Sequence, residues 1–231
     1  MRLEKFIKTL PDCFDNLEAP SFPKDRRLQH ISEKKYAMTT ENIGFLLNHA
    51  VTFMEPGEVY VEVGTYKGGS LSYAIDGNAD KEFFAFDNFT WFTKPAPWWR
   101  PWSYPEPKRT LTKVLNHYSK RYKVVFQEGD FRDTLSKLNR TIGVYFYDGA
   151  HGFKDQVDGL NIVMDKMAEE SLIVVDDTNP GYEGSEARAA NEQWLHEHPE
   201  WTLLFDLQSP APCHKGWWCG IQILGRYRKR K

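Results

Sequence analysis

Short apolar runs alternate with segments of helical spacing through most of the chain. The runs that read as buried strands lie at 59–63, 82–86, 123–126, 143–147 and 172–175. The spacing of apolar positions predicts helices after Gly68 and near 108–120, 131–139, 153–168 and 185–197. Such alternation is typical of βαβ units, so we expect a doubly wound α/β fold with a mostly parallel sheet.

The two ends of the chain depart from this pattern. Two strand-like runs, 201–205 and 217–224, are joined by a Pro-containing loop with no room for a crossover helix, which predicts a final antiparallel strand in a seven-stranded sheet. At the other end, a Thr40 N-cap precedes helical spacing, and residues 11–35 lack sustained periodicity. We therefore expect a helical N-terminal arm and entry helix over 1–55, followed by one domain over 56–231.

Composition narrows the class of protein. The 231 residues are 41% hydrophobic and carry a net charge of −2, so no general attraction to nucleic acid or membrane is expected. Three cysteines without zinc-type spacing favour a reducing compartment. No apolar run is long enough for a membrane span, and residues 1–8 do not resemble a signal peptide. A cytoplasmic location is the expectation.

Acidic residues follow two of the predicted strands. Asp148 ends the run at 143–147, and Asp176 and Asp177 follow the run at 172–175. Consecutive parallel strands end at the same edge of a sheet, so these carboxylates can converge in one crevice. Three oxygen ligands suit a hard cation such as Mg²⁺, although an Asp after a strand can also simply cap the next helix.

A glycine-rich turn follows the first strand. Gly64, Gly68 and Gly69 permit a tight turn and close approach to a ligand, but the phosphate-loop and dinucleotide-binding patterns are both absent. Glu62 would repel a pyrophosphate, whereas Asp87, about 20 residues beyond the glycines, is placed to accept ribose hydroxyls. A ligand that has a ribose and a positively charged group, but no phosphate, is compatible with both Glu62 and Asp87.

With these motifs, the sequence resembles the class I S-adenosylmethionine-dependent methyltransferases, which have a Rossmann-like fold. Within this class, it resembles more narrowly the metal-dependent small-molecule O-methyltransferases of the macrocin and mycinamicin type, and the related cephalosporin-hydroxylase-like proteins. This resemblance implies that the segment 62–70 contacts the methionine part of the cofactor, Asp87 the ribose, and Asp130 the adenine amino group. The cofactor-binding residues it implies are Glu62, Gly64, Thr65, Gly68, Gly69, Ser70, Asp87, Gly129, Asp130 and Asp148.

The same resemblance implies chemistry at the acidic segments. Asp148, Asp176 and Asp177 would bind Mg²⁺, which polarises an acceptor hydroxyl. His151 would be the general base that takes the hydroxyl proton, and its alternative role is to support the metal site or the backbone. The expected partner is a small-molecule acceptor such as a sugar. Nucleic acid is not expected, since the motif of amino-directed nucleic-acid methyltransferases is absent, and a homo-oligomer remains open.

A long aromatic insertion at 88–107 has no template in that family. It contains Trp91, Trp98, Trp99 and Trp102, interleaved with prolines. We expect a lid over the acceptor, with a small satellite core as the alternative. Two other functions stay open, namely a different reaction at the same metal site, as in the cephalosporin-hydroxylase-like group, and cofactor binding without catalysis.

Overall fold

The computed structural model describes residues 1–32, 38–90, 106–183, 185–209 and 215–228. Its sheet contains the strands β1 (Glu58–Val63), β2 (Glu82–Asp87), β3 (Lys123–Glu128), β4 (Thr141–Tyr147), β5 (Met167–Val175), β6 (Trp201–Leu207) and β7 (Ile221–Arg226). The strand order is β3-β2-β1-β4-β5-β7-β6, and β7 runs antiparallel to both of its neighbours. The predicted seven-stranded, mostly parallel sheet with a final antiparallel strand is confirmed.

Helices cover both faces of this sheet. They are α1 (Leu3–Thr9), α2 (Gln29–Ser32), α3 (Glu41–Thr52), α4 (Gly69–Ile75), α5 (Glu106–Tyr118), α6 (Phe131–Thr134), α7 (Phe153–Asn161) and α8 (Ala187–Glu197), with short 3₁₀ turns at Pro11–Cys13 and Leu135–Lys137. Thr40 caps α3 as predicted, because its hydroxyl accepts the N–H of Ile43. Among the described helices, none is long and apolar enough to cross a membrane.

Alternate residues of the strands build two cores. Tyr60 and Val174 belong to the core that also holds Phe6 and Leu46 of the N-terminal segment. Val61, Tyr145 and Ile173 face the opposite core, which includes Leu160 and Trp194 of α7 and α8. Residues of the 1–55 segment thus share a core with the sheet, and the domain boundary at 55/56 stays a prediction.

Two predicted elements have different bounds in the structure. The helix expected near 153–168 ends at Asn161, because the chain turns and the N–H of Ile142 then pairs with the carbonyl of Lys166 as β5 begins. The strand expected from 217 begins only at Ile221. Trp218 and Cys219 have positive φ angles of 29° and 61°, so the preceding residues form a turn and not an extended strand.

The register places the carboxyl ends of the central strands side by side. Val63 of β1 pairs with both Phe86 of β2 and Tyr147 of β4, and Tyr147 pairs in turn with Val175 of β5. The strand order reverses between β1 and β4, which creates a crevice at this edge. The residues that follow these strands include the predicted site residues Gly64, Asp87, Asp148 and Asp176.

Candidate active site

The turn after β1 depends on glycine at one point of very close approach. Gly64 has a φ of +88°, and a Cβ added there would lie 1.7 Å from the carbonyl oxygen of Asp148. Only a residue without a side chain allows the loops after β1 and β4 to meet in this way. Gly68 has a φ of +82° and begins α4 in the left-handed conformation. The sequence-predicted turn therefore lies against the predicted acidic segment.

Residues of the glycine turn and Asp148 line one small cavity, of about 20 Å³, at the edge of the sheet. Its lining consists of Met38, Thr39, Gly64, Thr65, Tyr66, Gly69, Ser70 and Asp148. Four of the residues expected to bind the methionine part of a cofactor are in this set, together with Asp148. Backbone groups without an obstructing Cβ, next to carboxylates, fit a ligand that carries a positive charge.

Glu62 is fully buried below this turn. One carboxylate oxygen accepts the hydroxyl of Tyr60 at 2.7 Å, and the other accepts the hydroxyl of Ser70 at 3.0 Å. Burial raises the pKa of Glu62 to about 7, against the opposing effect of these hydrogen bonds. A cationic group that approached Glu62 would favour the ionised form, so this carboxylate can hold an ammonium.

Asp87 organises the backbone around the end of β2. Its two oxygens accept the N–H groups of Tyr66 and Phe89, each at 2.6 Å. Burial raises the pKa of Asp87, and the backbone hydrogen bonds oppose that shift. Each carboxylate oxygen has a second lone pair, so Asp87 can still accept the hydroxyls of a ribose.

Gly129 and Asp130 lie next to Asp87. The N–H of Gly129, whose φ is +143°, donates to the carbonyl of Asp87 at 3.0 Å. Asp130 caps α6, since its carboxylate accepts the N–H of Arg132 at 2.8 Å. One oxygen of Asp130 is thus used to cap α6. The expected contact between Asp130 and an adenine amino group stays a prediction.

Two of the predicted acids lie near the same ring nitrogen of His151. Its Nε2 is 3.2 Å from Oδ2 of Asp177 and 3.6 Å from Oδ1 of Asp148. Burial lowers the pKa of His151, and the negative charge of Asp177 works against that shift. Its other ring nitrogen, Nδ1, is buried without a hydrogen-bond partner in the described part of the chain. Most buried polar atoms in proteins are paired, so an orphaned imidazole nitrogen marks a position where a ligand can bind.

The three acids are close enough to repel one another. Burial raises the pKa of Asp148, Asp176 and Asp177, and the neighbouring carboxylates raise the pKa of Asp148 and Asp176 further. Asp176 is buried, and its Oδ1 accepts the N–H of Asp177 at 2.9 Å. Asp177 has a φ of +57°, which turns its side chain toward His151.

This arrangement bears on the predicted magnesium site. The donor atoms are hard carboxylate oxygens, which suit Mg²⁺ chemically. Within the described residues, however, no group of three or more His, Cys, Asp or Glu side chains is arranged so that it could hold a metal ion. One oxygen of Asp176 accepts a backbone N–H, whereas the carboxylate of Asp177 lies against His151. The two carboxylates therefore have different partners. The three acids lie near one another as expected, but the magnesium site itself stays a prediction.

Several contacting residues were not identified from the sequence. Tyr60 could have been found, because it lies two residues before Glu62 and therefore on the same face of β1. Ser185 and Glu186 contact the Asp177 and His151 loops, and Cys219 forms a hydrogen bond with the carboxylate of Asp177. These contacts join segments that are distant in sequence, so no local pattern indicates them.

Most of the aromatic insertion lies outside the described residues. This applies to Trp91, Trp98, Trp99 and Trp102, and the lid expected for 88–107 remains a prediction.

Comparisons with known proteins agree with this geometry. A family model described as a methyltransferase domain matches residues 61–178, which is just over half of the chain. The match extends from β1, through the glycine turn and Asp87, to the acids after β5. An uncharacterized protein of Acanthamoeba polyphaga mimivirus, R132, is 27% identical over 158 residues, and the alignment covers 66% of each chain. The chain thus spans just under two thirds of that relative's length.

Solved structures share the fold over almost the whole chain. A candidate O-methyltransferase from Klebsiella pneumoniae has a TM-score of 0.61 at 15% identity, with 98% of this chain and 100% of that chain covered. The Podospora anserina methyltransferase PaMTH1, solved with bound SAH, also has a TM-score of 0.61 at 15% identity, with coverages of 99% and 97%. The chain belongs to the methyltransferase-domain family, because that family model matches more than half of its residues.

Proposed function

We propose that this protein transfers a methyl group to a hydroxyl oxygen of a small molecule, with His151 as the general base. The observation that carries the proposal is the position of His151. Its Nε2 lies near Asp148, which lines the same cavity as the glycine turn, and near Asp177. A base next to a cofactor cavity is the arrangement that methyl transfer to a hydroxyl requires.

The cofactor side is assigned to the loops after β1, β2 and β3. When bound, S-adenosylmethionine supplies a methyl group activated by the sulfonium charge. Glu62 and the turn at 64–70 would hold the methionine part, with the ammonium near the buried carboxylate. Asp87 would accept the ribose hydroxyls, and Gly129 and Asp130 would lie on the adenine side. The close approach of Gly64 to Asp148 and the buried carboxylates of Glu62 and Asp87 support these roles.

The acceptor side is assigned to the loops after β4 and β5. Asp177 at 3.2 Å favours the tautomer of His151 that carries its proton on Nε2. Nδ1 then has a free lone pair, and the lowered pKa keeps the ring neutral near pH 7. We infer that Nδ1 would take the hydroxyl proton, while the methyl group would pass from the sulfonium of the bound cofactor to the hydroxyl oxygen and S-adenosylhomocysteine would leave. The imidazolium that results is stabilised by the carboxylate of Asp177.

A magnesium requirement is a separate part of the proposal. Asp148, Asp176 and Asp177 are the residues that would hold the ion, after a change in the side-chain directions described above. The resemblance to the sugar O-methyltransferases supports both the ion and a sugar acceptor. Chelation with EDTA, followed by readdition of Mg²⁺, tests this part, with loss and recovery of turnover as the expected result. Full turnover in EDTA would leave deprotonation to His151 alone.

The main test uses S-adenosylmethionine with a radiolabelled methyl group and a panel of sugars, catechols and other hydroxylated molecules. We expect label in a base-stable ether product, and we expect His151→Ala to bind the cofactor without transferring label. Calorimetric binding of the cofactor with no transfer to any acceptor class, including amines and thiols, would favour a binding protein over an enzyme. Transfer of label to nitrogen or sulfur would overturn the assignment to oxygen.

A further inference from the structure

The start of α8 binds backbone groups of both acceptor-side loops. The hydroxyl of Ser185 donates to the carbonyl of Asp177 at 2.7 Å, and the N–H of Glu186 donates to the carbonyl of His151 at 2.8 Å. Nε of Arg188 donates to the carbonyl of Thr178 at 2.7 Å. Three nearby residues thus connect two loops that belong to different strands. We call Ser185, Glu186 and Arg188 the α8 clamp.

Glu186 holds the His151 loop at two points. Besides the backbone bond to His151, its carboxylate accepts the N–H of Phe153 at 2.9 Å. Phe153 is the first residue of α7, and Gly152 at the N-cap position offers no side-chain capping bond. Glu186, at the start of α8, therefore supplies the hydrogen-bond acceptor that the N-terminus of α7 lacks. Its negative charge also interacts favourably with the positive end of the α7 helix dipole.

The side chain of Glu186 does not serve its own helix. It lies at the N-cap position of α8 but makes no capping bond there. Its contacts instead fix the backbone on both sides of Gly152, directly after His151. Asp177, the partner of His151, has a left-handed backbone, a conformation that persists only where surrounding contacts enforce it. The hydroxyl of Ser185 is one such contact.

We propose that Glu186 and Ser185 are positioning residues that set the separation of His151 and Asp177. This rests on the proposed function, in which that pair takes the acceptor proton. Proton transfer depends steeply on distance and direction, whereas cofactor binding uses the loops after β1, β2 and β3. Loss of the clamp should therefore lower kcat and leave cofactor affinity unchanged.

The kinetic test compares three variants. Glu186→Ala removes the acceptor for Phe153, and Glu186→Gln keeps an oxygen that can accept it. Glu197→Ala is the control, since Glu197 is an exposed acid of the same helix, and its carboxylate accepts the side-chain N–H of Gln193 on the helix surface. We expect kcat to fall about 10- to 100-fold in Glu186→Ala, as for a slightly misplaced catalytic group. KM and cofactor Kd should stay unchanged, and Glu186→Gln should restore most of kcat.

A second readout does not depend on turnover. The imidazole signals of His151, assigned by NMR through their loss in His151→Ala, should shift in Glu186→Ala at fixed pH, while Glu186→Gln and Glu197→Ala leave them in place. An unchanged His151 signal in folded Glu186→Ala would overturn the proposal, whether or not an acceptor has been found. Absence of turnover in the wild type would instead count against the proposed function. Should Glu186→Ala fail to fold, the same kinetic and NMR measurements can be made on Ser185→Ala, which removes only one hydroxyl.

Discussion

The two halves of the crevice differ in how well their polar groups are satisfied. On the proposed cofactor side, both oxygens of Glu62 accept hydroxyls, and both oxygens of Asp87 accept backbone N–H groups. On the proposed acceptor side, three mutually repelling acids lie near a histidine whose Nδ1 has no partner in the described chain. The carboxylates of the first half are already hydrogen-bonded within the protein, whereas the second half holds negative charge that a ligand or a proton would stabilise. Variants can test this difference, beginning with the largest expected effect.

His151→Ala should have the largest effect. Loss of a general base typically lowers kcat about 10²- to 10⁴-fold, and we expect no change in cofactor affinity because the ring belongs to the acceptor side. Single-turnover methyl transfer and calorimetry measure the two quantities. His196→Ala, at an exposed position of α8, is the matched control. Near wild-type turnover in His151→Ala would remove the ring from the mechanism.

Gly64→Ala should destabilise the protein and abolish cofactor binding. The substitution combines an unfavourable positive φ with a Cβ that would lie 1.7 Å from the carbonyl oxygen of Asp148. Together these effects should cost about 3 kcal/mol or more of unfolding free energy, measured by urea denaturation.

Gly57 provides the control for that experiment. It also has a φ of +88°, but no atom lies within 4 Å of an added Cβ. Gly57→Ala should therefore cost only about 1 kcal/mol, the effect of backbone conformation alone. Equal losses of stability in the two variants would show that the close approach of Gly64 to Asp148 has no energetic consequence.

Glu62 should make stability depend on pH. Its pKa in the folded protein is about 7, above the ordinary 4.5 of an unfolded chain. The folded state therefore keeps a proton that the unfolded state has released, and stability falls as pH rises from about 4.5 to 7, by up to about 3 kcal/mol. Glu62→Gln should reduce this fall, as measured by urea midpoints at pH 5 and pH 8 without cofactor. A variant with the wild-type pH dependence would contradict the assignment of that pKa.

Asp87→Ala should have a smaller effect on cofactor binding than Gly64→Ala, and it should also destabilise the loop because the N–H groups of Tyr66 and Phe89 lose their acceptor. Loss of hydrogen bonds to a charged acceptor should weaken cofactor affinity by about 1.5–3 kcal/mol. Asp80→Ala is the control, since Asp80 is an exposed acid shortly before β2. Unchanged calorimetric affinity in Asp87→Ala would exclude the ribose assignment.

The sequence predicted the parts of the site that depend on strand ends. Gly64, Asp87 and Asp148 follow buried parallel strands, and the ends of such strands meet at one edge, so their proximity follows from the alternating pattern. The proximity of His151 to Asp177 follows from the same argument, because the two residues lie in the loops after the adjacent strands β4 and β5.

Features set by tertiary contacts were not predictable. The magnesium site was expected from three carboxylates at adjacent strand ends and from the family resemblance. The side-chain directions of Asp176 and Asp177 also depend on a left-handed backbone at Asp177 and a hydrogen bond between the two residues. The helix expected to continue to 168 ends early because β5 pairs with β4 from Met167. The α8 clamp joins segments that only the fold brings together. In each case the deciding partner is remote in sequence or lies in a backbone conformation that residue type does not reveal.

The most direct test of the central assignment is a crystal structure with bound S-adenosylhomocysteine. We expect the homocysteine part to lie against the Gly64 turn, the ribose hydroxyls to bind Asp87, and the sulfur to face the pocket of His151. A product molecule bound elsewhere, or one whose sulfur points away from His151, would contradict the division of the crevice into a cofactor side and an acceptor side.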